Sequence, residues 1–129
     1  MSSASNAVGW FEIYVADFER AKKFYAAVFQ RPMEDLAAPP GSPPMKMCAF
    51  SMNPEGMGSA GALVCDDMMK PGAGGTLVYF SCADCAVEAA RAAEHGGQVF
   101  QPKMSIGPYG FIAIVGDTEG NTIGLHSMA

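Results

Sequence analysis

Charge is scarce in this sequence: Lys, Arg, Asp and Glu make up 16% of 129 residues, and eight of them are basic. The basic residues are scattered and the formal net charge is −5. The cationic stripe that neutralises phosphates is missing, so no nucleic-acid partner is expected. No apolar run approaches the roughly eighteen residues needed to cross a bilayer, so no membrane partner is expected either. The opening MSSASNAVGW has no basic stretch followed by an apolar core. It is read as lacking a secretory signal, and a cytoplasmic location is the expectation. Neither a G-x-S-x-G elbow nor a P-loop occurs. Gly56-Met57-Gly58-Ser59-Ala60-Gly61 does spell G-x-G-x-x-G, but a short strand follows it rather than the helix whose N-terminus would meet a phosphate.

Cysteine is also sparse, at four residues: Cys48, Cys65, Cys82 and Cys85. The last two form C-x-x-C, a spacing shared by zinc sites and thioredoxin-like centres. A structural zinc needs a second ligand pair, and neither Cys48 nor Cys65 has a partner at metal spacing. Cys82 ends a strand pattern and Cys85 opens a helix pattern, so both are read as small core residues with reduced thiols.

What the chain has in quantity is hydrophobic residues, half of the total. That is enough to build a core and argues against disorder. The length fits one domain or two half-size units sharing a core. Residues 1–7 read as a flexible tail. Trp10 to Val15 alternates as a strand, with Phe11, Ile13 and Val15 on one face and Trp10, Glu12 and Tyr14 on the other. Asp17 then caps a helix whose apolar stripe is Phe18, Ala21, Phe24, Tyr25 and Val28. Pro32 marks its end. The four prolines in residues 37–44 impose a loop. Strands are expected at Met47 to Met52 and Ser59 to Val64, joined by a turn at Asn53-Pro54-Glu55-Gly56. Residues 66–75 read as a linker.

The pattern then restarts. Thr76 to Cys82 alternates as a strand, and Asp84 caps a helix that stops at Gly96-Gly97. Strands are expected at Val99-Phe100, at Phe111 to Val115 and at Thr122 to Ser127. Val15-Ala16-Asp17 corresponds to Cys82-Ala83-Asp84, and Pro54-Glu55-Gly56 to Thr118-Glu119-Gly120. A strand-helix-strand-strand-strand order therefore occurs twice, over residues 8–65 and 76–129, which argues duplication.

Val15 to Tyr25 (VADFERAKKFY) and Gly110 to His126 (GFIAIVGDTEGNTIGLH) together resemble the vicinal oxygen chelate superfamily, which contains glyoxalase I, bleomycin-resistance proteins and extradiol dioxygenases. The resemblance spans Trp10 to Ser127. It implies an α+β fold in which tandem βαβββ modules form a cup-shaped, mostly antiparallel eight-stranded sheet with two helices outside. It also implies a small-molecule ligand inside the cup and a homodimer. Catalytic members hold a divalent metal by His, Glu or Gln from the inward faces of particular strands. Carried onto this chain, those positions fall at Trp10, at or beside Leu77, near Gly61 or Ala62, and at Gly124. None of these side chains can coordinate Zn, Ni, Fe or Mn, which need imidazole, carboxylate or thiolate donors. No metal and no other cofactor is expected.

Glu12 and His126 each lie two residues from one of those positions, so strand alternation puts both on the inward face. They are candidates for an acid–base pair, or for polar contacts to a ligand. In the plainest case they satisfy each other or face water. Trp10, Tyr14, Phe50 and Tyr79 are candidates for an aromatic pocket, though some serve equally as core. Residues 102–110, with two prolines and two glycines around Tyr109, read either as a lid whose Tyr109 stacks on a bound ring or as a rigid connector. Three functions stay open: a metal-free protein holding a small molecule, a lyase, isomerase or dioxygenase using Glu12 and His126 with or without a displaced metal, and an interaction module or subunit.

Overall fold

A computed structural model of the chain describes residues 6–72 and 74–129; most of the expected N-terminal tail lies outside the described residues. Among the described residues, eight strands and two α-helices follow one another as two βαβββ modules. The first runs β1 (Val8–Tyr14), α1 (Phe18–Phe29), β2 (Met33–Leu36), β3 (Met45–Phe50) and β4 (Ala62–Asp66). The second runs β5 (Thr76–Ser81), α2 (Cys85–Glu94), β6 (Gln98–Ser105), β7 (Phe111–Gly116) and β8 (Thr122–Ser127). The fold is α+β and mostly antiparallel, as the resemblance implies. By packing, the chain divides into Phe11–Thr76 and a second unit made of Leu77–Ala129 with the chain up to Trp10.

In the unit Phe11–Thr76 the strand order is β2-β3-β4-β1, with β1 and β4 parallel and the other pairs antiparallel. Asp17 stands in extended conformation and accepts a hydrogen bond from the Arg20 amide at 3.0 Å, which starts α1. Buried Val15, Phe18, Cys48 and Leu63 fill the space beneath the helix, with Ile13, Ala21 and Tyr25 packed against them. The apolar stripe of α1 is narrower than expected: Phe24 and Val28 remain 58% and 54% exposed. Six residues on, Phe24 has turned about 120° round the helix from Phe18 and points away from the sheet. The structure also gives residues to the strand after the helix, which the sequence pattern does not locate. β2 is a four-residue segment, MEDL, with no β-branched side chain, and its ladder with β3 holds it extended.

In the second unit the order is β5-β8-β7-β6, with β5 and β8 parallel. Asp84 caps α2 by accepting from the Ala86 amide at 3.0 Å. The core here is Cys85, Ala89, Ala113, Val115 and Leu125, with Phe80, Cys82, Ala92, Phe111 and Ile123 against it. Both cysteines of the C-x-x-C thus belong to core packing. One expectation is corrected: β6 extends from Gln98 through Pro102 to Ser105, so the loop shrinks to the residues after Ser105. Proline is tolerated because β6 is the last strand in the order, and its register with β7 shifts between Gln101 and Met104.

Candidate functional site

In the second unit, strand alternation sends Phe80, Ala113, Val115 and Leu125 toward α2 and leaves Tyr79, Ser81, Ile112, Ile114, Gly124 and His126 on the opposite face. Two rows cross that face in register. One is Tyr79, Gly124, Ile114 and Gln101; the other is Ser81, His126, Ile112 and Met104. The Tyr79 ring folds over Gly124, where a Cβ would stand 2.6 Å from the ring Cδ2. Tyr79 is only 8% exposed. Trp10, on the part of β1 that belongs to this unit, is half-buried.

His126 is half-buried near the end of β8, and its Nε2 lies 2.6 Å from the Tyr109 carbonyl oxygen. Tyr109 closes a single 3-10 turn, Gly107–Tyr109, while its own side chain is exposed. What remains of the loop read as a lid or a rigid connector is a tight turn whose Tyr109 carbonyl meets His126.

In the unit Phe11–Thr76, Glu12 and Tyr14 lie on the face of β1 away from α1, and the Tyr14 hydroxyl donates to Glu12 Oε1 at 2.8 Å. Glu12 stands opposite Ala62, which is opposite Ala49, which is opposite Glu34. The Phe50 ring, by contrast, makes edge contacts with Tyr25 and Phe29 of α1, at centroid distances of 6.1 and 6.3 Å. Phe50 and Glu12 are therefore on opposite faces of this unit's strands.

The positions at which the superfamily carries metal ligands are occupied differently here. Trp10 and Leu77 offer no donor atom. Gly61 sits at φ +73° directly beneath the Phe11 ring, whereas Ala62 is the residue in register with Glu12. At Gly124 the room for a side chain is taken by Tyr79. Among the described residues, no group of three or more His, Cys, Asp or Glu is placed to hold a metal ion. The residues present do not fit the superfamily's metal centre.

Two of the four thiols are held up by burial. Burial, helped by the neighbouring Glu88 and Cys85, pushes the Cys82 thiol up to about 11. Burial also raises Cys48. A C-x-x-C centre of thioredoxin type needs a lowered thiol instead. Two open grooves lie elsewhere. One of about 320 Å³ beside β1 and α1 includes Tyr14, Asp17, Arg20 and Tyr25. Another of about 390 Å³ beside β5 and α2 includes Cys82, Glu88 and Arg91. Glu88 Oε1 is buried there beside the Cys82 thiol. Sequence reasoning gave Glu88 no part, because a glutamate in the first turn of a helix ordinarily faces water. Neither groove is lined by Trp10, Glu12, Phe50, Tyr79, Tyr109 or His126.

Comparison with known proteins agrees with this architecture. The family model described as the Glyoxalase/Bleomycin resistance protein/Dioxygenase superfamily matches residues 7–125. A variant of Streptomyces coelicolor methylmalonyl-CoA epimerase, solved with 2-nitronate-propionyl-CoA, superposes with a TM-score of 0.71 at 17% identity, covering 98% of this chain and 96% of that one. Methylmalonyl-CoA epimerase from Mycobacterium tuberculosis gives 0.66 at 13%, covering 100% and 93%. A Legionella pneumophila structure described as an NAD-dependent benzaldehyde dehydrogenase gives 0.59 at 17%, covering 93% and 98%. At such identities the likeness speaks for the fold alone. No curated protein matches the chain.

Proposed function

The chain belongs to the glyoxalase/bleomycin resistance protein/dioxygenase superfamily, and from that premise we propose that it binds a small, partly aromatic or polar molecule without a metal. The observation that carries this reading is the Tyr79 ring lying over Gly124. An aromatic surface occupies the place where catalytic relatives carry a carboxylate ligand, and Trp10 stands where they carry another metal ligand. Tyr79, Trp10 and His126 then supply a flat apolar surface with a polar atom at its edge, the combination that small-molecule sites favour. That the Streptomyces coelicolor neighbour was solved with 2-nitronate-propionyl-CoA supports a small-molecule role for the fold. We place the protein in the cytoplasm as a homodimer. The exposed Phe24, Val28 and Phe29 of α1 give it apolar surface suited to self-association.

The test is a ligand-observed screen of small aromatic and polar molecules against wild type, Trp10→Ala and Tyr79→Ala, each variant first shown to be folded by circular dichroism, with chelator present throughout. Binding that survives chelation and weakens at least about tenfold in both variants supports the reading. Hits that bind both variants as well as wild type contradict it.

A further inference from the structure

A carbonyl oxygen has no proton to give, so in the 2.6 Å contact between His126 and Tyr109 the ring nitrogen Nε2 is the donor. That sets the state of the other nitrogen. A neutral imidazole with its proton on Nε2 carries a lone pair on Nδ1. Among the described residues, no group hydrogen-bonds to Nδ1.

The contact is held by local structure. Ile106 donates its amide to the Gly110 carbonyl at 2.8 Å, and the Gly110 amide donates to the Gly107 carbonyl at 3.2 Å. Gly110 itself sits at φ +101°, and a Cβ there would run into the Ser127 carbonyl and 3.0 Å from the Met128 sulfur. The turn is thus pressed onto the end of β8 where only glycine fits. From the other side, the His126 carbonyl accepts the Cys82 amide at 2.8 Å, which fixes the backbone from which the ring projects.

We propose that this turn locks His126 in the Nε2–H tautomer, and that Nδ1 is the acceptor offered to the ligand, so that the site selects molecules bearing a hydroxyl or similar neutral donor. Tyr109 and Gly110 are positioning residues, since they act through the imidazole. The ligand half of the proposal rests on the function proposed above; the tautomer half does not.

Nitrogen-15 correlation spectra of the full chain in alkaline buffer read the tautomer directly. His95, the other histidine in the sequence, serves as internal reference. The expected result without ligand is one tautomer at His126, protonated at Nε2 and bare at Nδ1, turning into a mixture in Gly110→Ala. A wild-type ring protonated at Nδ1, or evenly mixed, overturns the proposal. Phenol and anisole then serve as probes of equal ring and unequal donor capacity. Phenol is expected to shift the Nδ1 resonance while anisole does not, and to bind about tenfold more weakly to His126→Leu, the loss of one hydrogen bond. Equal shifts from both probes, with binding still lost in Trp10→Ala, would overturn the donor selectivity and leave the metal-free pocket standing.

Discussion

Tyr79 and Gly124 face each other across the parallel β5–β8 pair, with the tyrosine ring seated where any side chain at 124 would go. The two residues act as one packing unit. Gly124→Ala inserts a methyl group 2.6 Å from the Tyr79 ring and is expected to destabilise by about 1–3 kcal/mol. Tyr79→Ala removes a buried ring and is expected to cost about 3 kcal/mol or more. Urea unfolding of the double variant should show less loss than the sum, because the added methyl group then occupies space the ring has vacated. Additive losses would mean that the ring does not cover Gly124.

Gly61 and Gly58 offer a controlled comparison. Both have positive φ, +73° and +87°, but a Cβ at 58 meets nothing within 4 Å whereas at 61 it meets the Phe11 ring. Gly58→Ala should carry only the backbone strain of about 1 kcal/mol. Gly61→Ala should exceed it by about 1–3 kcal/mol of steric cost. Matching unfolding midpoints for the two variants would contradict the Phe11 contact.

The Cys82 thiol, held up at about 11, is expected to react slowly. At pH 8 roughly one part in a thousand is thiolate, so alkylation of the folded protein should leave Cys82 unmodified long after a thiol of ordinary pKa has reacted. The folded-state value lies above the unfolded one, so its contribution to stability is whole below about pH 9 and is lost as pH rises toward 11. Cys82→Ala should flatten the alkaline slope of unfolding free energy in that window. An unchanged slope would mean the thiol is not held up.

Asp84 works in the opposite direction. The Lys103 ammonium at 2.9 Å and the Ala86 amide hold its carboxyl below the usual carboxylate range. Its contribution is therefore present above the ordinary value of 3.8 and lost as pH falls through the lower folded value. Asp84→Ala should lower the melting temperature at neutral pH, and the gap to wild type should close on acidification. A gap that persists unchanged to pH 2 would show that the cap charge is not what matters.

Much of this fold is written in local chemistry. Asp17 and Asp84 are legible as caps because an aspartate before an apolar stripe has one favourable use. The repeated strand-helix order follows from the alternation of Phe11, Ile13 and Val15 and of Val78 and Phe80. β2 was hidden because a short acidic segment has no strand signal of its own and is extended only by its neighbour. The extent of β6 was hidden because Pro102 argues against a strand unless the strand is known to lie at an edge. At the site, the absence of donor atoms at Trp10, Leu77 and Gly124 is visible in sequence. The Tyr79 ring over Gly124 and the bond from His126 to the Tyr109 carbonyl join residues 45 and 17 positions apart, and no local pattern announces them.

Binding of a small molecule without a metal is checked by elemental analysis of protein purified without chelator or affinity-tag metal, followed by titration with Ni, Zn, Co, Mn and Fe. No stoichiometric metal and no uptake at micromolar concentrations are expected, in wild type and in Glu12→Ala and His126→Ala alike. One equivalent of metal, lost in either variant, would contradict metal-free binding and point to a relocated catalytic centre.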